Sequence, residues 1–391
     1  MNILKKSLLI YMTEDALKPT GGQAGYNYNL VEGLKKIGAM GYSFLPITNN
    51  ARSKLKSMKD GKLKKVLFVF LRIGNYFRLL HKKESFLACD LGKFDVVHFH
   101  NVKDMYEGRS SLENYNGLVI LTSHSPKPFS MEIYEDIISP FERACFGRMY
   151  KKLICMERYA FNRADYIIFP CKFAEEPYYN KWNEYVKIHE KNQEKYRYLL
   201  TGARQCYAKV DKDNYRKKCE IPQDAFVISY VGRHNYTKGY DDLKNIGKSL
   251  LTDKSSYVLI AGKEEPLKRL EHDRWIEVGW TDDPYSLINA SNLFVLPNKE
   301  TYFDLVMLEV LSLGKIVVAS KTGGNKFFET IDAPGVFLYS SLEDAKRIIE
   351  SIKSMDVQEI QNLEESNRNL FDKYFSTEVF AETYIKIINE L

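Results

Sequence analysis

Two basic side chains follow one predicted strand in the second half of the chain. The strand FVISYVG ends at Gly232, Arg233 comes next, and Lys238 follows after a short turn. Ligands of doubly wound sheets bind beyond the carboxyl ends of the strands, so both cations stand where a ligand would lie. Guanidinium and ammonium groups bind phosphate oxygens well. The pattern therefore favours a phosphate ligand, with an ordinary exposed loop as the alternative.

Glu309 is the second candidate for chemistry, because it lies in the predicted helix LVMLEVLSLG. Its neighbours are apolar in every direction around a helical wheel, which predicts a buried helix. A buried carboxylate without partners costs on the order of several kcal/mol, so we expect polar groups beside Glu309. The loop before the helix also offers Glu300 and Thr301.

An aromatic residue follows the strand WIEVG, which ends at Gly279. The indole of the next residue, Trp280, could cover a nucleotide base beyond that strand. Ordinary packing of the indole explains its presence equally well.

The glycine-rich loop TGGQAG follows the first predicted strand. Gly21 and Gly22 allow the backbone to approach a ligand, and a helix beginning near Tyr26 would direct its amino end at that ligand. The spacing differs from GxGxxG, which argues against a dinucleotide. A flexible loop without a ligand is the alternative.

Three histidines lie at the ends of strands in the first half. His98 and His100 alternate along one strand, so their side chains face the same side, and a metal pair is conceivable. No acidic or cysteine cluster joins them in the sequence, so we expect no metal site. His124 ends the next buried strand before a proline-containing loop, a typical place for a side chain that faces a substrate.

Short apolar runs separated by helical patterns predict the elements that position these residues. Continuous apolar strands alternating with helices are typical of parallel sheets covered on both faces. The runs are SLLIYM, FDVVHF, GLVILTS and YIIFP, then FVISYVG, YVLIAG, WIEVG, NLFVLP, KIVVAS and GVFLY. Two such series predict an α/β protein with two Rossmann-like domains, which the length of 391 residues allows.

The join between the two domains is expected within residues 175–210, a polar, tyrosine-rich stretch. We therefore predict an N-terminal domain over 1–200 and a C-terminal domain over 201–375. The final segment, 376–391, is predicted to be an amphipathic helix that packs back on the first domain.

The composition indicates a globular protein of the cytoplasm. The chain is 45% hydrophobic and 28% charged, with a formal charge of +6. Six cysteines without paired spacing indicate reduced thiols. The first apolar run is too short for a signal peptide, and the longest run elsewhere is too short to span a bilayer. We expect no nucleic-acid partner.

Taken in order, these motifs resemble the retaining glycosyltransferases of family 4 (group 1), which have the GT-B fold. The resemblance covers nearly the whole chain and is strongest over 226–329, where five motifs agree in order and spacing. It implies two Rossmann-like domains whose parallel sheets face each other across a cleft, with the acceptor on the first domain and the nucleotide sugar on the second.

The resemblance also implies roles for individual residues. The catalytic set would be His124 at the donor sugar, Arg233 and Lys238 at the diphosphate, and Glu309 at the ribose. The turn SKTGG would contribute Gly323 and Gly324. The donor-binding set would be Gly21, Gly22, Gly232, Gly279, Trp280, Glu300, Thr301, Phe303, Asp304, Leu305 and Val306.

The chain departs from the pattern of this family at two positions. Thr301 stands where the family has its first glutamate, and Asp304 stands where glycine is usual. The missing carboxylate normally contacts hydroxyls of the donor sugar. Either Glu300 or Asp304 replaces it, or this chain recognises the sugar differently.

The activity implied is transfer of a sugar from a nucleotide sugar, for which we expect a UDP-linked donor. The transfer would retain the configuration of the sugar and would need no metal or cofactor. The acceptor would be a saccharide or a polyprenyl-linked saccharide in bacterial surface glycan synthesis. The alternatives are a catalytically degenerate subunit that stabilises a partner transferase and another GT-B enzyme, such as an epimerase or a phosphorylase.

A basic stretch at residues 64–83 suggests where such an enzyme would contact an anionic membrane. In helical projection its cations fall on one broad face, with Phe68 beside them. They are Lys64, Lys65, Arg72, Arg78, Lys82 and Lys83. A domain helix with a solvated basic face is the alternative, so peripheral membrane contact and a fully soluble protein both stay open.

Overall fold

The computed structural model describes residues 3–12, 19, 22–46, 62–81, 86–87, 89–145 and 147–391. Of the predicted site residues, Gly21 lies outside these ranges, as do Lys82 and Lys83 of the basic stretch. The chain divides into two compact units. Unit 1 comprises Met1–Phe169, Pro177–Leu199 and Ala381–Leu391, and unit 2 comprises Pro170–Glu176 and Leu200–Phe380.

The strands of the described ranges form one sheet in each unit. They are Ile3–Met12 (β1), Met40–Pro46 (β2), Val96–Phe99 (β3), Leu118–Leu121 (β4), Tyr166–Phe169 (β5), Tyr196–Tyr198 (β6), Phe226–Val231 (β7), Ser256–Ala261 (β8), Trp275–Glu277 (β9), Leu293–Leu296 (β10), Ile316–Ser320 (β11) and Val336–Tyr339 (β12). The first sheet has the order β2-β1-β3-β4-β5-β6, and the second has the order β12-β11-β10-β7-β8-β9. The pairs are parallel throughout.

Helices connect the strands. They are Gln23–Lys36 (α1), Lys62–His81 (α2), Val102–Glu107 (α3), Arg109–Leu112 (α4), Phe129–Met131 (α5), Pro140–Cys145 (α6), Gly147–Arg163 (α7), Glu176–Lys181 (α8), Asn183–Lys191 (α9), Lys212–Lys218 (α10), Tyr240–Leu250 (α11), Pro284–Ala290 (α12), Leu305–Ser312 (α13), Leu342–Lys353 (α14), Val357–Tyr374 (α15) and Thr377–Glu390 (α16). Short helical segments of other kinds lie at Leu91–Lys93, Glu132–Ile137, Lys172–Glu175, Gln193–Lys195 and Gly323–Glu329.

Both faces of the sheet in unit 2 are covered, which explains why its central strands are apolar without alternation. On one face, Ile228 and Ile260 pack with residues of α11 and α14. On the opposite face, Val227 and Leu259 pack with residues of α10 and α12. Neighbouring residues of one strand thus enter different cores. The predicted class of two α/β units with parallel sheets is confirmed.

Each predicted apolar run lies on a strand, whereas the edge strands β2 and β6 were not predicted. Met40, Gly41 and Ser43 of β2 are exposed, and so is Tyr198 of β6. A half-exposed edge strand lacks the continuous apolar run of a central strand, so its pattern is weak. The stretch 175–210 also contains helices α8 and α9, which its polar composition did not indicate.

The C-terminal helix α16 contributes its last residues to unit 1. Tyr384 is buried there, and its hydroxyl lies 2.8 Å from Nδ1 of the buried His98. The backbone N–H of Lys5 in β1 donates to the side chain of Asn389 at 2.8 Å. These two contacts tie the end of the chain to the first sheet.

Helix α2 begins at Lys62 and ends at His81, and it differs from the predicted basic face. Arg72 makes two hydrogen bonds to the carboxylate of Glu142, at 2.6 and 2.8 Å, and Arg78 lies 3.3 Å from Glu107. These two cations are therefore paired within the protein. The exposed side chains of the helix include Phe70 and Phe77, which are 66% and 51% exposed. Among the described residues, no helix combines the length and apolarity needed to cross a bilayer.

Candidate active site

The strand order of unit 2 reverses beside β7. From β7 the chain runs outward through β8 and β9, then returns to pair β10 with β7 and runs outward through β11 and β12. The carboxyl ends of β7 and β10 therefore form a topological switch point, where a doubly wound sheet binds its ligand. The loop 232–239 follows β7 and the loop 297–304 follows β10, and these loops carry seven of the predicted site residues, among them Arg233 and Lys238.

An ion pair joins the two loops at the switch point. Nζ of Lys238 lies 2.7 and 2.8 Å from the two carboxylate oxygens of Asp304. The side-chain amide of Asn298 also donates to Asp304. Arg233 is exposed on the loop after β7. The structure thus brings Lys238 and Asp304 together, and it adds Asn298, which the sequence did not single out although it directly follows the strand NLFVLP.

The close approach of these loops requires glycine at position 239. Gly239 has φ of +63°, and a Cβ at this position would lie 1.7 Å from the carbonyl oxygen of Pro297. The backbone N–H of Lys299 donates to the carbonyl of Thr237 at 3.0 Å. A side chain at 239 would push the lysine loop away from the end of β10.

The predicted glycine turn packs against Thr301 in the loop 297–304. A Cβ on Gly323 would lie 2.1 Å from the carbonyl oxygen of Thr301, and its φ is +43°. The N–H of Gly324 donates to the same carbonyl at 3.3 Å. The turn SKTGG therefore fixes the backbone of Thr301, and the buried ring of Phe303 packs near Phe328 of the same helical segment, Gly323–Glu329.

Thr301 is 1% exposed, and within the described structure its hydroxyl has no hydrogen-bond partner. A buried polar group without a partner costs about 1–3 kcal/mol. A ligand hydroxyl would satisfy it. Glu300, the alternative carboxylate, is half-buried beside it.

Glu309 lies on a partly exposed stripe of α13 with Leu305 and Val306, so the prediction of a helix buried on every side was wrong. Its Oε1 accepts a hydrogen bond from the hydroxyl of Tyr285 at 3.3 Å. Burial of the carboxyl raises the pKa of Glu309 to about 7, against the opposing effects of Tyr285 and the Arg204 guanidinium. Neither partner was foreseen, because both lie far from Glu309 in the sequence.

Gly279 and Trp280 follow β9 at the same edge of the sheet. The carbonyl of Gly279 accepts a hydrogen bond from the N–H of Gly262 at 2.9 Å, which links the ends of β8 and β9. Trp280 is 78% exposed. The alternative of ordinary packing is therefore wrong for this indole, which is accessible to a ligand.

The histidines of unit 1 form a hydrogen-bonded group. His98 lies 2.8 Å from the hydroxyls of both Tyr384 and Thr122. Nδ1 of His100 lies 2.8 Å from Nε2 of His124. The rings of His98 and His100 are 4.0 Å apart, on the same side of β3 as predicted. The described residues include no group of three side chains that could hold a metal.

His124 is held in an unusual backbone conformation, with φ of +57°. Its ring packs edge-on against Tyr26, at 4.4 Å between centroids. Burial lowers the pKa of His124 to about 3 and also lowers the pKa of His98 and of His100. His124 is therefore neutral near pH 7, so it can donate or accept a hydrogen bond but carries no charge. Of the two glycines predicted to approach a ligand, the structure describes Gly22. This residue directly precedes α1 and has φ of +74°.

The family model for Glycosyl transferases group 1 matches residues 225–355, which contain the loops of the switch point. Over these residues the chain is similar to the group 1 glycosyltransferases, and the chain is a glycosyltransferase enzyme. This glycosyltransferase is 22% identical over 308 residues to an uncharacterized 41.2 kDa protein from the cps region of Klebsiella pneumoniae, over 75% of this chain and 78% of that protein.

The glycosyltransferase is also 24% identical over 197 residues to the lipopolysaccharide 1,2-N-acetylglucosaminetransferase of Salmonella typhimurium, a match that covers 46% of this chain and 52% of that enzyme. Its fold resembles Anabaena Alr3699/HepE in complex with UDP-glucose. That likeness has a TM-score of 0.62 and 14% identity, and it covers 99% of this chain and all of the other. The GT-B fold predicted from the sequence is confirmed.

We expect Glu309 to make the stability of this glycosyltransferase pH-dependent. Because its folded pKa is raised, the folded state keeps a proton that the unfolded state loses between about pH 4.5 and 7. Stability from this group is therefore complete at low pH and falls as the pH rises, by about 3 kcal/mol at most. Chemical unfolding of wild type and Glu309→Gln across this pH range measures how the free energy of unfolding changes.

The matched control is Glu365→Gln, which removes an exposed carboxyl from α15. Relative to wild type, Glu309→Gln gains stability as the pH rises, whereas the control keeps the wild-type slope. Parallel pH slopes for wild type and Glu309→Gln would contradict the raised pKa.

Proposed function

We propose that this glycosyltransferase transfers a sugar from a nucleotide sugar, UDP-linked, to a saccharide or lipid-linked saccharide during synthesis of a bacterial surface glycan. The observation that carries the proposal is the basic switch point of unit 2, where Lys238 and Arg233 lie on one loop beside the amino end of α13. In this proposal unit 2 binds the donor, and the transfer retains the configuration of the sugar.

The proposed chemistry is stabilisation of a leaving diphosphate. Cleavage of the bond between sugar and phosphate leaves negative charge on the diphosphate while the sugar becomes cationic. Arg233 and Lys238 offset that charge, and the free N–H groups at the start of α13 add partial positive charge. Because protein groups neutralise the leaving group, the proposal needs no divalent metal.

The nucleoside would lie between the end of β9 and α13. The exposed indole of Trp280 is free to stack on a base. Glu309 would accept hydrogen bonds from ribose hydroxyls, which would replace water around its carboxyl. The relative that supports UDP is Alr3699/HepE, whose structure contains UDP-glucose, and the relative that supports a surface glycan is the Salmonella lipopolysaccharide enzyme.

His124 would orient the donor sugar. Because its imidazole is neutral, His124 would act on the sugar through hydrogen bonds and would not supply charge. His100 lies 2.8 Å from its Nε2 and so fixes the ring orientation. His124 therefore serves as a positioned hydrogen-bonding group, and the acceptor hydroxyl attacks the sugar on the face that the diphosphate leaves.

The second candidate function is a catalytically inactive subunit that stabilises a partner transferase. Two observations favour it: Thr301 replaces the first carboxylate of the family, and Asp304 is already bonded to Lys238. An inactive subunit has no need of Lys238, Arg233 and Glu309 at their expected positions, and for this reason we prefer the enzyme.

Incubation with a panel of nucleotide sugars tests the proposed function. We expect slow hydrolysis of a UDP-sugar to UDP without an acceptor, because water replaces the acceptor hydroxyl in an active site that is intact. Released nucleotide is measured by chromatography. A chain that binds no nucleotide sugar and releases no nucleotide from any member of the panel would favour the inactive subunit.

Removal of one phosphate-binding cation should reduce turnover strongly. We expect Arg233→Ala and Lys238→Ala each to lower the rate of nucleotide release by about 10²-fold or more, the usual cost of losing one group that stabilises transition-state charge. His124→Ala should also lower turnover. Lys373→Ala, a change in the last turn of α15, controls for the loss of a cation. Wild-type rates in the Arg233 and Lys238 variants would remove the diphosphate assignment, and a wild-type rate in His124→Ala would remove its role.

We also propose peripheral membrane contact through α2, which would place the enzyme beside a lipid-linked acceptor. The support is apolar rather than basic: Val66, Phe70 and Phe77 are exposed at spacings that place them on one face of the helix. Since Arg72 and Arg78 are paired with carboxylates, we expect the aromatic side chains to contribute most of the binding.

Co-sedimentation with anionic vesicles measures this contact. We expect the wild-type chain to bind at low salt, and the double variant Phe70→Ser with Phe77→Ser to bind at least tenfold less. Tyr207→Ser removes an exposed aromatic residue from unit 2 and should bind like wild type. Failure of wild type to sediment with the vesicles would favour a soluble acceptor.

A further inference from the structure

In the described structure, Asp304 is the charged residue that pairs with Lys238. The family pattern has glycine at this position. Both of its carboxylate oxygens lie within 2.8 Å of Nζ. Asn298 donates a further hydrogen bond to it. A lysine ammonium has three hydrogens to donate, so a carboxylate in this position uses much of the capacity that a phosphate would require.

The side chain of Asp304 has no role in capping its own helix. Aspartate just before a helix normally accepts a hydrogen bond from an N–H of the first turn. Asp304 occupies that position before α13, yet it makes no such bond and turns toward Lys238 instead. Apart from the N–H of Met307, which donates to the backbone carbonyl of Asp304 at 3.1 Å, the first turn is left without a cap from this side chain, while the cation beside it is neutralised.

We propose that Asp304 is an affinity-determining residue that competes with the donor diphosphate for Lys238. This inference rests on the proposed function, because it takes Lys238 as a diphosphate ligand. Before the donor binds, the carboxylate oxygens take the place of phosphate oxygens. Binding of the nucleotide replaces the Asp304 carboxylate by a phosphate at the ammonium group. The cost of displacing Asp304 lowers the net binding free energy that Lys238 contributes.

The charge of the site supports this reading. Lys238 and Asp304 together are neutral. Arg233 therefore supplies the positive charge of the loop 232–239 outside this pair. The same loop contains His234, whose pKa is lowered by burial. Replacement of Asp304 by a neutral residue would double the positive charge at the two predicted phosphate ligands. The affinity for a dianion or trianion should rise accordingly, most at low salt.

The test is calorimetric titration of the full chain with UDP. We expect Asp304→Asn and Asp304→Gly each to bind UDP at least tenfold more tightly than wild type, with a steeper dependence on salt. The matched control is Asp332→Asn, which makes the same change in charge at an exposed residue before β12, on the edge of the sheet opposite the switch point. The control should bind UDP like wild type.

A double variant tests the mechanism directly. If competition for Lys238 is the cause, Asp304→Asn should change UDP binding less than threefold in a Lys238→Ala background. A gain that persists at tenfold without Lys238 would overturn the competition. Thermal unfolding of each variant identifies any that fail to fold. The amide of Asp304→Asn keeps the size of the original side chain, and its oxygen can accept the hydrogen bond from Asn298.

The outcomes separate this inference from the proposed function. UDP binding to wild type with no gain in Asp304→Asn overturns the competition alone. Weaker binding in that variant, with an unchanged unfolding temperature, overturns it in favour of a carboxylate that contacts the ligand directly. If no UDP binds to wild type or to any variant at millimolar concentration, the proposed donor site is wrong and the competition falls with it.

Discussion

The reversal of strand order beside β7 is the constraint on which the candidate site depends. Parallel strands end at one edge of a sheet, and the reversal sends the connections after β7 and β10 in opposite directions. The loops 232–239 and 297–304 therefore meet although more than fifty residues separate them in the chain, and Lys238 reaches Asp304 across the junction. Gly239 makes that meeting possible, because no side chain fits between its backbone and Pro297.

The candidate residues of the two units differ in their electrostatics. At the switch point, ionised side chains pair closely and neutralise one another. In unit 1, by contrast, burial keeps His98, His100 and His124 neutral, so the histidine group works through hydrogen bonds. A rigid neutral group suits the recognition of sugar hydroxyls, whereas exposed cations suit a diphosphate. The division follows from burial, since desolvation disfavours charge unless a partner is close.

The sequence predicted the fold well where strands are covered on both faces, because continuous apolar runs leave a strong signal. It missed β2 and β6, whose exposed residues break that signal. It predicted site roles for Lys238, Asp304 and Glu309 from their positions after strands and in the family pattern, and those roles stay predictions. It did not foresee that Lys238 and Asp304 pair with each other, or that Tyr285 lies beside Glu309. Such contacts join residues from separate loops, and only the folded chain decides their distances.

The burial and the hydrogen bonding of Thr301 also depend on the fold. Replacement of a glutamate by threonine suggests a simple loss, but the residue is buried, its carbonyl is held by the glycine turn, and its hydroxyl is left without a partner among the described residues. A shorter neutral group at this position removes a charge and leaves a hydroxyl in its place.

The pairing of Lys238 with Asp304 has a consequence for the enzyme among the solutes of a cell. Inorganic phosphate, pyrophosphate and other polyanions that carry no nucleoside bind most readily to lysines that have no counter-ion. A lysine that already holds a carboxylate offers them little, and a ligand must bring binding energy from its base and ribose to displace that carboxylate. Under the proposed competition, the pair is a barrier that phosphate alone does not overcome, and a ligand displaces the carboxylate only if it presents a nucleoside as well.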